Sequence, residues 1–412
     1  MRPQIVKNEV SDMKTKFLSC NGFGFSPTQL ISGLLHSYSK LPDGFPFTDR
    51  DAIFTYQGRY AIYLICQLLD IGAGDEVILP AYNCGAEVDP FVWAGAKVIF
   101  YRIDNRAAID TEDIIRRVTP STRLIYVTHN FGWPQEIGDL AKWCKKRGLF
   151  LLEDCAQSLF SKGYNDTIGR IGDAAIYSFV KSLPVPDGGA LVLKNKDIWN
   201  KTNNFRPPRH RNIILNSLPL LKKWFMHKNK LWQNHEFTRK ILNKSWLRRP
   251  MAQNQNCEIQ RELPKSNYFD GQKVDWSISR LSKGILSKTN PERIVETRRR
   301  NYQHLHNALR NIPSIQLLFD DLPIDVCPLS FPIFVKDRNR WCNSLEEDKG
   351  ILVGGFPSYH RSFDWKEFPE ARHLKNNLLT LPVHQNLDVH HMEYIAECVK
   401  LIAEENGNYH SR

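Results

Sequence analysis

The stretch SFVKSLPVPDGG at 178–189 sets a single lysine, Lys181, between an apolar run and a turn of two prolines and two glycines. A lysine becomes a nucleophile when desolvation or a neighbouring charge lowers its pKa, and Schiff-base formation is its signature chemistry. Two other segments carry residues of matching chemistry. YQGRYAIYL at 56–64 puts Gly58 directly before a helical pattern, and a helix start offers unpaired N–H groups and a favourable dipole to a phosphate. LFLLEDCAQSL at 149–159 closes an apolar strand on Asp154, with Gln157 one turn further on. A carboxylate buried there needs a positive partner, which a cationic ring nitrogen supplies. Each segment also has a plainer reading: a solvated surface amine, a helix capped by glycine, an aspartate N-cap.

These residues converge only if the surrounding elements bring strand ends together. DEVILPAY (75–82), AKVIFYRID (96–104), TRLIYVTH (122–129), LFLLED (149–154), AAIYSF (174–179) and ALVLK (190–194) read as strands. Helical patterns such as 59–72 and 136–148 alternate with them. Alternation of this kind predicts an α/β fold, a mostly parallel sheet flanked by helices. Ligands collect at the carboxyl ends of such strands. Asp154, Ser178 and Lys181 fall at or just beyond such ends. A phosphate anchor, an acid for a pyridinium nitrogen and a Schiff-base lysine are together what pyridoxal phosphate requires.

Charge and composition narrow the class. The chain has 412 residues, 42% of them hydrophobic, enough for a large domain and a smaller one. No apolar run reaches the roughly 18 residues of a membrane span. The polar start MRPQIVKNEVSDMKTKF lacks the apolar core of a signal peptide, and the nine cysteines form no CxxC pair. A cytoplasmic setting is expected. The net charge of +12 is local: 13 of the 56 Lys and Arg residues lie in 201–250 with one of the 44 acids, Glu236. The rest carries 43 of each sign, which argues against a nucleic-acid-binding protein.

Several long stretches resemble the DegT/DnrJ/StrS-type nucleotide-sugar aminotransferases, within the fold-type-I pyridoxal-phosphate enzymes. They include 72–104, 124–159 and 168–179, with NLLTLPVHQNLDVHHMEYI (377–395) similar to the family's closing motif. The likeness runs over much of 52–195 and returns in 292–402. It implies that Gly58, Arg59 and Tyr60 lie at the phosphate-binding helix start. Asp154 would keep the pyridine nitrogen protonated, Gln157 would contact the ring hydroxyl and Ser178 would bond the phosphate. Lys181 would carry the cofactor as a Schiff base. The implied activity is amino transfer from glutamate to a nucleotide-linked keto-sugar in polysaccharide or amino-sugar biosynthesis. A homodimer with its site at the interface is implied too, with Asn267 in SNYFDG as a candidate from the partner's loop.

Two departures from the family stand out. The interval from Ser178-Phe179 to the lysine is two residues shorter than usual, whereas counting back from Gly188-Gly189 reaches Lys181. Where the family places an aromatic over the cofactor ring this chain has Cys84, leaving Tyr82 or His129 to stack, and His129 could equally be a structural imidazole. A pyridoxamine-dependent sugar dehydratase is the alternative, opposed by Lys181 because that branch has histidine there. A catalytically degenerate family member acting as an interaction or regulatory protein is another.

The expected organisation is an N-terminal segment (1–50), a large domain (51–200), a basic insertion (201–265) and a connecting helix with a small α+β domain (266–412). Within the insertion LPLLKKWFMHKNKLWQ (218–233) could form a basic amphipathic helix touching an anionic membrane surface. It could equally be a lid for an anionic substrate, a nucleic-acid contact, or a solvated insert.

Overall fold

The computed structural model describes residues 18–19, 24–36, 39–163, 168–195, 205–228, 268–354, 364 and 366–409. Its centre is a seven-stranded sheet of β1 (Ala52–Thr55), β2 (Glu76–Pro80), β3 (Lys97–Tyr101), β4 (Thr122–Thr128), β5 (Phe150–Asp154), β6 (Ala174–Ser178) and β7 (Gly189–Leu193). The order across the sheet is β1-β7-β6-β5-β4-β2-β3. Every pairing is parallel except the two that β7 makes, with β6 and with β1.

The strand sequences explain why both faces are covered. Val77, Leu79, Leu124, Tyr126 and Leu152 pack on one face with Ala61, Ile62 and Ile65 of helix α1 (Gly58–Leu68). Ile78, Ile125, Val127 and Leu151 point to the other, against Ile137 and Leu140. A half-buried strand would alternate apolar with polar; these alternate apolar with apolar, as a doubly covered sheet requires. Fully burying each such side chain contributes about 1.5–3 kcal/mol.

The second face continues into the C-terminal half. Helix α5 (Pro291–Leu309) brings Tyr302, Leu305 and Leu309 into the same cluster as Phe331 and Ile333 of the small antiparallel sheet. That sheet runs β10-β9-β8, with β8 (Ile315–Leu317), β9 (Phe331–Val335) and β10 (Leu378–Leu381). The expected mostly parallel sheet with a smaller C-terminal α+β part is thus what the chain forms.

Of the basic stretch, His210–Lys228 is helix α3, which follows α2 (Gly85–Ala94) in the labelling and carries Pro219. Ile214, Leu215, Leu218 and Phe225 are exposed on it. The remainder of 218–233, from 229 on, lies outside the described residues, as does Asn267. Helix α4 (Arg280–Ser287) then leads to α5. No helix among the described residues is long and apolar enough to cross a membrane.

Candidate active site

Asp154 is the last residue of β5, 1% exposed. Its Oδ2 accepts the Tyr126 hydroxyl at 2.7 Å and its Oδ1 the Ala156 N–H at 2.7 Å. Tyr126 comes from the adjacent strand β4. Burial first, then the Asp154 charge, pushes its phenol well above the ordinary range, so it stays a proton donor. Two donors from different elements fix the orientation of the carboxylate at the sheet's carboxyl edge. Thr128, in register with Asp154 on β4, has a buried hydroxyl with no hydrogen-bond partner among the described residues.

The start of α1 lies one strand over. Gln57 is its N-cap and makes no side-chain capping bond, so the Gly58 and Arg59 N–H groups have no partner among the described residues. A Cβ on Gly58 would stand 3.2 Å from the Ser178 Cβ and 3.3 Å from the Tyr177 carbonyl. The helix start therefore rests against the end of β6. The close approach also depends on Gly189, which pairs with Thr55 in β1. A Cβ there would lie 2.5 Å from both the Gln57 carbonyl carbon and the Gly58 nitrogen.

Those are backbone atoms, so no rotamer change relieves the overlap. Gly189→Ala is expected to cost about 1–3 kcal/mol and to shift the helix start away from Ser178. Thermal melting together with a pyridoxal phosphate titration of the variant checks both effects, the second expected as at least a ~10-fold loss of affinity.

Arg59 and Tyr60 follow Gly58 in the helix, but their side chains turn toward the segment after residue 267. The Arg59 guanidinium donates to the Tyr268 carbonyl, and the Tyr268 N–H donates to Asp89 Oδ2 at 2.9 Å. Tyr60 is buried with Tyr56, Phe269 and Trp276, and its N–H bonds the Gln57 carbonyl at 3.0 Å. What this helix start presents to an anion is its backbone and dipole.

The lysine turn is short and firmly held. Phe179–Lys181 form one turn of 3-10 helix after β6. The Phe179 N–H donates to the Gly188 carbonyl at 3.1 Å and the Gly188 N–H to the Tyr56 carbonyl, closing the base. Gly188 sits at φ +125°, which L side chains rarely adopt. Asp187 is fully buried; its Oδ1 accepts the Ser279 N–H at 2.8 Å, and burial lifts its carboxyl to about 6. The Ser182 carbonyl accepts both Arg298 Nη2 at 2.9 Å and Gln385 Nε2 at 3.0 Å. The C-terminal half thus grips the residue next to Lys181. The lysine side chain itself is exposed, and its charge acts on Cys84 and Glu87.

Gln157 is half-buried; its Oε1 accepts the Phe131 N–H at 3.1 Å. His129 is fully buried, with its Nε2 3.0 Å from Glu153 Oε2 and its Nδ1 accepting the Gln135 N–H at 2.9 Å. That network places the ring proton on Nε2. Glu153 also accepts the Gly169 and Gly172 N–H groups at 2.8 and 2.6 Å. His129, Glu153 and Cys155 could geometrically gather a metal ion, but both ring nitrogens and both Glu153 oxygens already bind protein donors or acceptors. Protein partners thus engage both ring nitrogens of His129. Tyr82 packs near Phe131, ring centroids 6.2 Å apart. Cys84 is the N-cap of α2, and burial raises its thiol pKa.

One residue of the cluster escapes a reading of the sequence. Glu87, on the first turn of α2, is 6% exposed, and burial followed by the Asp154 charge raises its carboxyl to about 8. In CGAEVDPF it reads as an ordinary first-turn acid, and only its burial distinguishes it.

The arrangement suits pyridoxal phosphate. The two glycines let the helix start close on Ser178, the buried Asp154 has no cationic partner in its hydrogen bonds among the described residues, and the Thr128 hydroxyl is left unused there.

Residues 47–211 match the model of the DegT/DnrJ/EryC1/StrS aminotransferase family. Over 152 residues the chain is 35% identical to a dTDP-4-dehydro-2,3,6-trideoxy-D-glucose 4-aminotransferase of Saccharopolyspora spinosa, covering 36% of this chain and 40% of that protein. A GDP-perosamine synthase of Escherichia coli O157:H7 is 32% identical over 152 residues, 36% of this chain and 42% of that one. The alignments therefore span less than half the length of these relatives. The fold likeness extends further: the Helicobacter pylori aminotransferase PseC, involved in the biosynthesis of pseudoaminic acid, superimposes with a TM-score of 0.66 at 16% identity, over 95% of this chain and 100% of that one. The likeness to the DegT/DnrJ/EryC1/StrS aminotransferase family thus lies in residues 47–211, the stretch that holds the helix start, the acid strand and the lysine turn.

Proposed function

We propose that the protein is a pyridoxal-phosphate-dependent aminotransferase that moves the amino group of glutamate to a nucleotide-linked keto-sugar, acting as a homodimer. The observation that carries this reading is the meeting of Asp154, the Gly58–Ser178 contact and the Lys181 turn at the ends of neighbouring strands. The names of the relatives add the substrate class, since they act on dTDP-, GDP- and UDP-linked sugars. Lys181 itself speaks against the dehydratase alternative.

Each residue has a physical task. The backbone of the Gly58 turn and the Ser178 hydroxyl would hold the phosphate. Asp154, oriented by Tyr126 and Ala156, would hold a proton on the ring nitrogen. Gln157, three residues beyond it, would contact the ring hydroxyl. When bound, the cofactor supplies an electron sink for the bond broken at the amino-bearing carbon. Lys181 Nζ would anchor it covalently and, once displaced by the incoming amine, move protons as a base. The grip of Arg298 and Gln385 on Ser182 would keep Nζ at that carbon.

Incubation with pyridoxal phosphate, glutamate and a panel of dTDP-, UDP- and GDP-linked keto-sugars tests the reading. The expected result is 2-oxoglutarate released in step with an aminated sugar from at least one of them. Cofactor-loaded protein that aminates none would contradict it.

A further inference from the structure

The buried carboxyls of Asp154 and Glu87 are provided for differently. Asp154 accepts two hydrogen bonds of 2.7 Å, from Tyr126 and Ala156. Among the described residues Glu87 accepts one, of 3.4 Å, from the Cys84 N–H. Glu87 belongs to the helix that follows β2, so it stands at the same carboxyl edge of the sheet as Asp154. The charged and titratable groups that bear on it come from several sides: Asp154 on β5 and Lys181 in its turn, with Tyr126 on β4, Tyr101 on β3 and Cys84 on its own loop. Both tyrosine hydroxyls are themselves donors, to Asp154 and to the Tyr126 carbonyl.

A second carboxylate close to Asp154 and almost out of water is costly, and a single long backbone bond does little to offset it. A carboxylic acid kept neutral by its surroundings has instead a hydrogen to donate. We propose that Glu87 is a working residue of this site, a neutral acid that donates a hydrogen bond to the group bound between Asp154 and Lys181. The inference rests on the pyridoxal-phosphate reading. It adds a donor where the family likeness assigns no role, close to the position at which Cys84 replaces the expected aromatic. When Glu87 loses its proton the donor becomes a second anion beside Asp154, and binding weakens.

The same group leaves a mark on the protein without cofactor. Its folded pKa, about 8, lies above the ordinary carboxyl value, so the native state holds the proton longer than the unfolded chain. Stability is therefore expected to fall as pH rises from the ordinary carboxyl range to about 8, and to level off above.

The test compares wild type with Glu87→Gln, which keeps a neutral donor at every pH, and Glu87→Ala, which has none. Thermal melting of the cofactor-free protein should show a pH-dependent loss in wild type that Glu87→Gln lacks. Absorbance titration with pyridoxal phosphate gives Kd at about pH 6.5 and about pH 9.5; the rise in Kd between them should be at least ~10-fold larger in wild type than in Glu87→Gln. At the lower pH, Glu87→Ala should bind at least ~10-fold more weakly than Glu87→Gln. Equal pH profiles in wild type and Glu87→Gln, in either measurement, would overturn the inference while leaving the aminotransferase reading intact. No cofactor absorbance change in wild type would overturn that reading, and the inference with it.

Discussion

Lys181→Ala is expected to lower amino transfer by at least ~10^3-fold while changing stability by no more than ~0.5 kcal/mol. The two halves of this expectation come from different parts of the structure. The fold of the turn depends on backbone bonds at its base, on Asp187 to Ser279 and on the grip of Arg298 and Gln385 on Ser182. None of these uses the lysine side chain, which is exposed. The chemistry, in contrast, depends in the proposed roles on the Lys181 amine itself. Steady-state 2-oxoglutarate release and thermal melting, on the same preparations, measure the two halves. Loss of activity accompanied by a collapse in stability would instead make Lys181 a structural residue.

Asp154→Asn should lower amino transfer by at least ~10^2-fold, at a stability cost of about 1–3 kcal/mol. The asparagine oxygen can still accept the Ala156 N–H, but its amide hydrogens would face the Tyr126 hydroxyl, which must turn round to accept. A neutral amide no longer favours the protonated ring nitrogen, so the loss should appear chiefly in kcat and less in KM. A loss confined to KM would place Asp154 in substrate binding and not beside the ring.

The central sheet was legible because its strands are continuous apolar runs in an alternating order, and both faces bury them. Asp154 and Ser178 could be placed at strand ends for the same reason, and Gly58 at a helix start. What the sequence concealed depended on distant partners. Arg59 and Tyr60 lie at the helix start, but that residues 268–276 engage their side chains has no local signal. The hold on Ser182 comes from Arg298 and Gln385, 116 and 203 residues further along the chain, and no local pattern announces it. The engagement of both His129 ring nitrogens, by Glu153 and Gln135, likewise has no local signal. Glu87 was hidden for another reason. An acid in a first helical turn is ordinary, and nothing in its residue type reveals that it is buried beside a second acid.

The most direct test of the account is the visible absorbance of the purified protein with pyridoxal phosphate, for wild type and Lys181→Ala. The account predicts a Schiff-base band in wild type that glutamate bleaches and that Lys181→Ala lacks. An unchanged band in Lys181→Ala, or no band in wild type, would contradict the assignment of Lys181 as the cofactor lysine.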